Sequence, residues 1–425
     1  MNKLIIIAVF QINESTLKVQ NEIKELKLLS ENMGYKVSGE ITQKRLNPDP
    51  KFYMGKGKIE SIIIQAEEIN CKTILVNDEL SSLQAKTLEK AGKKKITFID
   101  RTRIILNIFK DHARTKEAKK QVQLAELQYL LPRLTRMWTH LERQAGGIGL
   151  RGGPGETQIE IDRRIISKKI YKLKKEINNI DKQKKIQQQN RSNSLQVTLT
   201  GYTNSGKSTL MNMMTGSDVY TKNQLFATLD TTTRRLDIPF PKQILISDTV
   251  GFMQKLPHEL LESFKTTLKQ VSNSHLVLRV FDASSENLSE QMDTVSNVLK
   301  DIKANKITYI TVMNKIDKID ATLLKNLIKR YPQALFISAL KNLKINALIE
   351  SIKSGLKEKF TNHLFRLPHS YNKIISYIYQ NTHVVKRNDD YKGVEIIAQA
   401  DRKTLKFIKD LIDKKIRKRL FSDHF

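Results

Sequence analysis

Residues 201–208 read Gly201-Tyr202-Thr203-Asn204-Ser205-Gly206-Lys207-Ser208, with Thr209 next, and this stretch decides the fold. An apolar run, Leu195 to Thr200, precedes it and a helical pattern follows. A Gly-x4-Gly-Lys-Ser loop between strand and helix turns its backbone NH groups onto phosphate. Its lysine reaches the outer phosphates and its serine hydroxyl serves Mg2+. The loop alone predicts a P-loop nucleotide site.

Two later segments keep the order that a guanine-nucleotide switch requires. Asp248-Thr249-Val250-Gly251 supplies a carboxylate at a strand end to hold the same Mg2+ through water, and a glycine whose NH reaches the γ-phosphate. Asn314-Lys315-Ile316-Asp317 supplies the base discriminator, because the Asp317 carboxylate accepts from guanine N1 and the 2-amino group, where adenine has no donor. Asn314 and Lys315 are expected to flank the ring, and Ser338-Ala339-Leu340 to bring a backbone NH to the guanine oxygen.

Between loop and carboxylate, Phe226-Ala227-Thr228-Leu229-Asp230 is the candidate first switch. Thr228 is the expected hydroxyl ligand of Mg2+ beside Ser208 and Asp248, with Thr231, Thr232 and Thr233 as rivals that spacing does not separate. Lys207, Thr228 and Gly251 are the residues expected to carry catalysis. Phe252 follows the glycine where a self-sufficient GTPase carries a glutamine to orient water, so slow intrinsic hydrolysis is expected, raised by a partner.

The rest of the chain alternates in the same manner. Up to about residue 100, β-rich runs (Leu4 to Val9, Tyr35 to Thr42, Thr73 to Asn77, Ile96 to Ile99) alternate with helical patterns, which predicts a small parallel α/β lobe. Two apolar seams follow. Leu124, Leu127, Leu131, Leu134, Trp138 and Leu141 step by three and four, as do Ile166, Ile170, Leu173, Ile177 and Ile180. Together they predict an antiparallel helical hairpin, kinked at Pro132. Its tip, Gly146 to Gly155, holds six glycines and cannot be helix. Arg151, Arg163 and Arg164 lie beside that tip, placed to pair with phosphates or stack on bases.

The expected fold is therefore α/β: a P-loop NTPase G domain (194–360), preceded by a small parallel α/β lobe (1–110) with a basic helical hairpin (111–190), and followed by a small α+β lobe (363–425).

Composition narrows the partners. The 425 residues carry 74 Lys plus Arg against 44 Asp plus Glu, a formal charge of +30 that points to a polyanion, nucleic acid before membrane. Residues 101–190 concentrate that excess, with 21 basic against 9 acidic side chains. A single cysteine, Cys71, excludes an intramolecular disulfide and any multi-cysteine metal site and suits a reducing cytosol. No run approaches the roughly 18 apolar residues of a spanning helix, so no membrane insertion is expected.

The P-loop, Phe226-Ala-Thr-Leu-Asp230, Asp248-Thr-Val-Gly-Phe252, Asn314-Lys-Ile-Asp317 and above all the segment Gly146-Gly-Ile-Gly-Leu-Arg-Gly-Gly-Pro-Gly-Glu-Thr-Gln-Ile-Glu-Ile-Asp-Arg-Arg164 resemble the HflX family of translational GTPases over nearly the whole chain. The resemblance implies a cytoplasmic GTP hydrolase; Mg2+ and bound GTP or GDP are expected with it, and a monomer. Its partner would be the large ribosomal subunit and its rRNA, with the task of splitting or rescuing ribosomes or aiding their assembly. It also implies ATP binding and RNA remodelling by the amino-terminal lobe, the alternative being a nucleotide-gated RNA-binding or assembly factor. Thr231 stands where many relatives carry proline.

Overall fold

The computed structural model describes residues 2–93, 95–134, 158–189, 194–216, 225–226, 229, 231–240, 242–255, 257–357, 360–391 and 393–422. The chain clusters into two compact units: residues 1–185, 221–230 and 250–267 form one, and residues 186–220, 231–249 and 268–425 the other.

In the first unit, β1 (Asn2–Phe10), β2 (Tyr35–Lys44), β3 (Thr73–Val76) and β4 (Thr97–Asp100) make a parallel sheet in the order β2-β1-β3-β4. The central β1 is apolar on both faces, with Leu4 to Ala8 almost wholly buried, as a strand covered on both sides must be. Helices α1 (Thr16–Asn32), α2 (Lys56–Glu68), α3 (Ser82–Ala91) and α4 (Arg101–His112) complete the lobe. Ser81 and Gln84 form a reciprocal capping box at the start of α3, and the Asp100 carboxylate caps α4 through the NH of Arg103.

The predicted hairpin follows. α5 (Lys116–Leu130) and α6 (Gln158–Gln189) meet where Leu124 packs with Leu173 and Ile177, flanked by Leu127 and Ile170. Lys120 pairs with Glu176 at 2.6 Å, so ascending α5 descends α6 and the two run antiparallel. Pro132 does not kink α5. The helix stops at Leu130, and residues Leu131–Arg133 turn as a single 3-10 segment. The glycine-rich tip with Arg151 lies outside the described residues.

The first unit also contains pieces from beyond the hairpin. Phe226 is buried with its ring edge against Phe109, at 4.6 Å between centroids, and its carbonyl accepts from His112 Nδ1 at 2.8 Å. Asn32 donates to the Leu225 carbonyl at 2.9 Å. Lys255 Nζ donates to Glu22 Oε2 at 2.7 Å and to Asp78 Oδ1 at 3.0 Å, at the carboxyl edge of the four-stranded sheet. Around it the buried Asn77, Tyr53 and Arg101 complete a polar network, with Arg101 bonded to Glu25, Asn77 and the Gln254 carbonyl. Gln128 on α5 meets Ser263 at 3.3 Å on α8 (His258–Ser263).

In the second unit, β5 (Leu195–Gly201), α7 (Lys207–Thr215), β6 (Thr233–Leu236), β7 (Ile244–Asp248), α9 (Lys265–Ser272, its first three residues in the other unit), β8 (Leu276–Asp282), α10 (Leu288–Asp301), β9 (Tyr309–Asn314), α11 (Ala321–Arg330), β10 (Leu335–Phe336) and α12 (Ile345–Lys357) build a six-stranded sheet. Its order is β10-β9-β8-β5-β7-β6, parallel apart from the antiparallel edge strand β6. Among its core residues, Val197, Leu199, Leu278, Val280, Leu348 and Ile352 are fully buried.

β11 (Phe360–Leu367), α13 (Asn372–Asn381), β12 (His383–Asp390), β13 (Gly393–Asp401) and α14 (Arg402–Ser422) form the terminal lobe. Its antiparallel sheet, ordered β11-β13-β12, buries alternate residues Val394, Ile396, Ala398 and Ala400 beneath Ile374, Ile378, Leu405 and Ile408. Phe360 at the head of β11 packs in the core of the six-stranded sheet.

Candidate nucleotide site

In the six-stranded sheet, β5 lies between β8 and β7, where the direction of winding reverses, and the crevice at the carboxyl ends there is the place where open α/β sheets bind ligands. Three sequence candidates end at that edge, where Gly201 closes β5, Asp248 closes β7 and Asn314 closes β9, and Asp282 at the end of β8 stands with them.

Two glycines are required by geometry. Gly201 has φ +150° and a Cβ there would lie 2.0 Å from the Val280 carbonyl oxygen, while Gly206, at φ +88°, would drive one to 2.3 Å from Asn314 Nδ2. Asn204 is also left-handed, at φ +58°. The loop then enters α7 at Lys207. Tyr202, Thr203, Ser205 and Lys207 are buried, and the hydroxyls of Thr203 and Ser205 have no hydrogen-bond partner among the described residues. Buried hydroxyls beside the amino end of a helix suit an anionic ligand.

Lys207 donates to the Tyr202 carbonyl at 2.8 Å. Burial pulls its pKa down to about 8, opposed by the Asp248 carboxylate and assisted by the positive charge of Lys315. Ser208 Oγ donates to Asp248 Oδ2 at 2.5 Å, which puts a hydroxyl and a wholly buried carboxylate in contact, the hard oxygen pair that Mg2+ prefers. Thr249, also buried, donates to the Leu199 carbonyl at 2.8 Å and ties this strand end to β5.

Asn314 acts as a staple. Its Nδ2 donates to the Ser205 carbonyl and its Oδ1 accepts the Ala339 NH, both at 2.9 Å, so one buried amide joins the phosphate loop to the Ser338-Ala339 loop. The Ala339 NH, one of the backbone donors of the Ser338-Ala339-Leu340 segment, thus has an acceptor in Asn314. Asp317, in the 3-10 turn Ile316–Lys318, is exposed and accepts from Ser338 Oγ at 2.5 Å. Its carboxylate is therefore open on the protein surface. Leu340 is exposed to 69%. Lys315, at φ +66°, donates to the Asn204 carbonyl at 2.6 Å and pairs with Asp282 at 2.7 Å. Sequence reading missed Asp282, whose partner is distant in the chain and whose only signal is its place at a strand end.

The remaining candidates fall elsewhere. Val250, Gly251, Phe226 and Leu229 belong to the other unit, where Val250, Phe226 and Leu229 are buried. Ala227, Thr228 and Asp230, and with Thr228 the expected third Mg2+ ligand, lie outside the described residues. No helix among the described residues is long and apolar enough to cross a membrane.

Comparison with known proteins agrees with this geometry. Profiles described as GTP-binding GTPase N-terminal, GTP-binding GTPase Middle Region and 50S ribosome-binding GTPase match residues 20–110, 112–191 and 196–315. A GTPase HflX from Flavobacterium psychrophilum is 47% identical over 318 residues, covering 74% of this chain and 75% of the relative. Another, from Caldanaerobacter subterraneus subsp. tengcongensis, is 38% identical over 382 residues, 89% and 87% of the two chains. Among solved structures, a complex of SsGBP with GDP is similar at 26% identity and a TM-score of 0.45, over 84% of this chain and 99% of that one. With a phosphate loop, a Ser208–Asp248 oxygen pair and a base loop at one sheet edge, and relatives of this closeness along most of its length, the chain belongs to the HflX family of GTPases.

Proposed function

We propose that the chain is a GTP hydrolase that acts as a nucleotide-controlled switch on the large ribosomal subunit. The observation that supports the reading is the Asn314 staple, which joins the phosphate loop to the Ser338-Ala339 loop through one buried amide. Lys207 would neutralise the outer phosphates, and Ser208 and Asp248 would hold Mg2+, with Thr228 the proposed third ligand. An ion held by them would offset the charge gathering on the transferred phosphoryl group. Gly251 is assigned to the γ-phosphate by its place in the motif, and Asp317 to guanine.

Slow intrinsic hydrolysis is part of the proposal, since the fully buried Phe252 ring has no group to orient water. The stimulating group then comes from the partner. A ribosomal partner is supported by the +30 charge and by the match of residues 196–315 to the 50S ribosome-binding GTPase profile. Splitting or rescue of ribosomes, or assistance to their assembly, is the proposed task, carried out by a monomer in the cytoplasm. The G domain is taken to span 194–360.

Asp317→Asn tests the base assignment. An amide there turns a donor toward position 2, so the variant should lose GTP affinity at least tenfold and gain affinity for xanthosine triphosphate. Unchanged preference for guanine would overturn the site. Co-sedimentation with large subunits in GTP, GDP and a non-hydrolysable analogue tests the switch, and indifference to the nucleotide would defeat it.

A further inference from the structure

Lys315 holds an unusual position for a flexible cation. Its backbone is left-handed at φ +66°, a conformation disfavoured for a side chain with a Cβ, so something must fix it. Two contacts do. Its ammonium is 2.6 Å from the Asn204 carbonyl in the phosphate loop and 2.7 Å from Asp282 Oδ2. Asp282 is itself aligned, because its Oδ1 accepts both the NH and the hydroxyl of Ser284, at 3.0 and 2.6 Å. It stands opposite Asn314 in the register of β8 on β9, and the Ala283 NH donates to the Asn314 carbonyl at 2.8 Å.

The geometry points to Asp282 as a positioning residue for guanine-nucleotide binding: its carboxylate clamps Lys315 against the Asn204 carbonyl and so joins the base loop to the phosphate loop through one cation. The inference rests on the assignment of Asn314 to Asp317 to the base. The electrostatic need is plain. Lys315 and the buried Lys207 are like charges serving one ligand. A carboxylate in contact with Lys315 offsets that repulsion and leaves the lysine stem free to lie along the base. The pair is mostly shielded, with 16% and 20% of the two side chains exposed, so water screens it less than a surface ion pair.

A turn-capping role for Asp282 would also account for the Ser284 bonds. The two readings separate in a double-mutant cycle on the full chain, reading the dissociation rate of a fluorescent GDP. Asp282→Asn keeps an oxygen for Ser284 and removes the charge. It should speed dissociation about tenfold, the size of one charge-assisted hydrogen bond. In a Lys315→Met background the same change should add less than twofold. An equal acceleration in both backgrounds, or none in either, overturns the inference. Asp282→Ser, which keeps a small acceptor at the turn, is taken through the same cycle with the same two outcomes, in case the first variant folds poorly. Asp317→Asn is measured in parallel: if it leaves base preference unchanged, the site assignment fails, whereas an additive cycle beside an effective Asp317→Asn rejects the role of Asp282 alone.

Discussion

Gly206 shows how little room single residues leave at this site. An added methyl group meets the Asn314 amide at 2.3 Å, and its backbone, at φ +88°, is strained for any L side chain. Relief would require the amide to move, releasing the Ser205 carbonyl and the Ala339 NH together. Gly206→Ala should therefore cost about 2–5 kcal/mol, the left-handed penalty plus two broken buried hydrogen bonds. Equilibrium titration with GDP should show a loss of at least tenfold in affinity, and an unaltered titration would mean that the staple tolerates displacement. The two glycines, Lys207, Ser208 and Asp248 were legible in the sequence because their chemistry is written in consecutive residues or at a strand end. Asp282 was not, since its meaning depends on a partner 33 positions away that only the β8–β9 register brings beside it.

At the scale of elements, β1 to β5 stand within a residue or two of the β-rich and apolar runs that predicted them. Buried strands announce themselves by continuous apolar stretches. The edge strand β6 does not, because Thr233-Arg-Arg-Leu236 buries only its last side chain and is recognisable solely through pairing with β7. The terminal lobe was foreseen as beginning near residue 363, whereas β11 starts at Phe360, whose ring serves the neighbouring core and so reads as G domain. That join also contains a charge pair. Lys242 donates to Asp401 at 2.6 Å, and Asp401 further accepts the NH and hydroxyl of Thr404 at the start of α14. Burial raises the Asp401 pKa, but the Lys242 and Thr404 bonds outweigh it and hold the carboxyl at about 2. A folded pKa below the unfolded value near 4 stabilises at higher pH. That contribution, about 1–2 kcal/mol once solvent is allowed for, is complete above about pH 4 and is lost as pH falls toward 2. Urea midpoints measured between pH 6 and 2.5 should fall less steeply for Asp401→Asn than for the native chain. Parallel slopes would show the pair to be neutral.

For the whole molecule, charge is the dominant property. Arg163 and Arg164 are exposed near the start of α6, on the most basic stretch of the chain. Replacing both with alanine should lower the slope of log affinity for large subunits against log salt by roughly 1.5, at about 0.7–0.9 per phosphate contact, while GDP affinity holds. A slope that does not move would place the RNA contact elsewhere. Linear reading of the sequence separated the hairpin, ending at 190, from the G domain, starting at 194, and contiguity is all that such a reading has. The folded chain does not respect it, because 221–230 and 250–267 cluster with the first 185 residues. Phe109 lies edge-on to both Phe226 and Phe264, rings contributed from either side of β7. Severing the polypeptide within 182–193 would consequently strip aromatic surface from both fragments. Each half should be sticky and poorly behaved when expressed alone, and a changed turnover in a shortened protein would report bared greasy patches as much as any lost restraint.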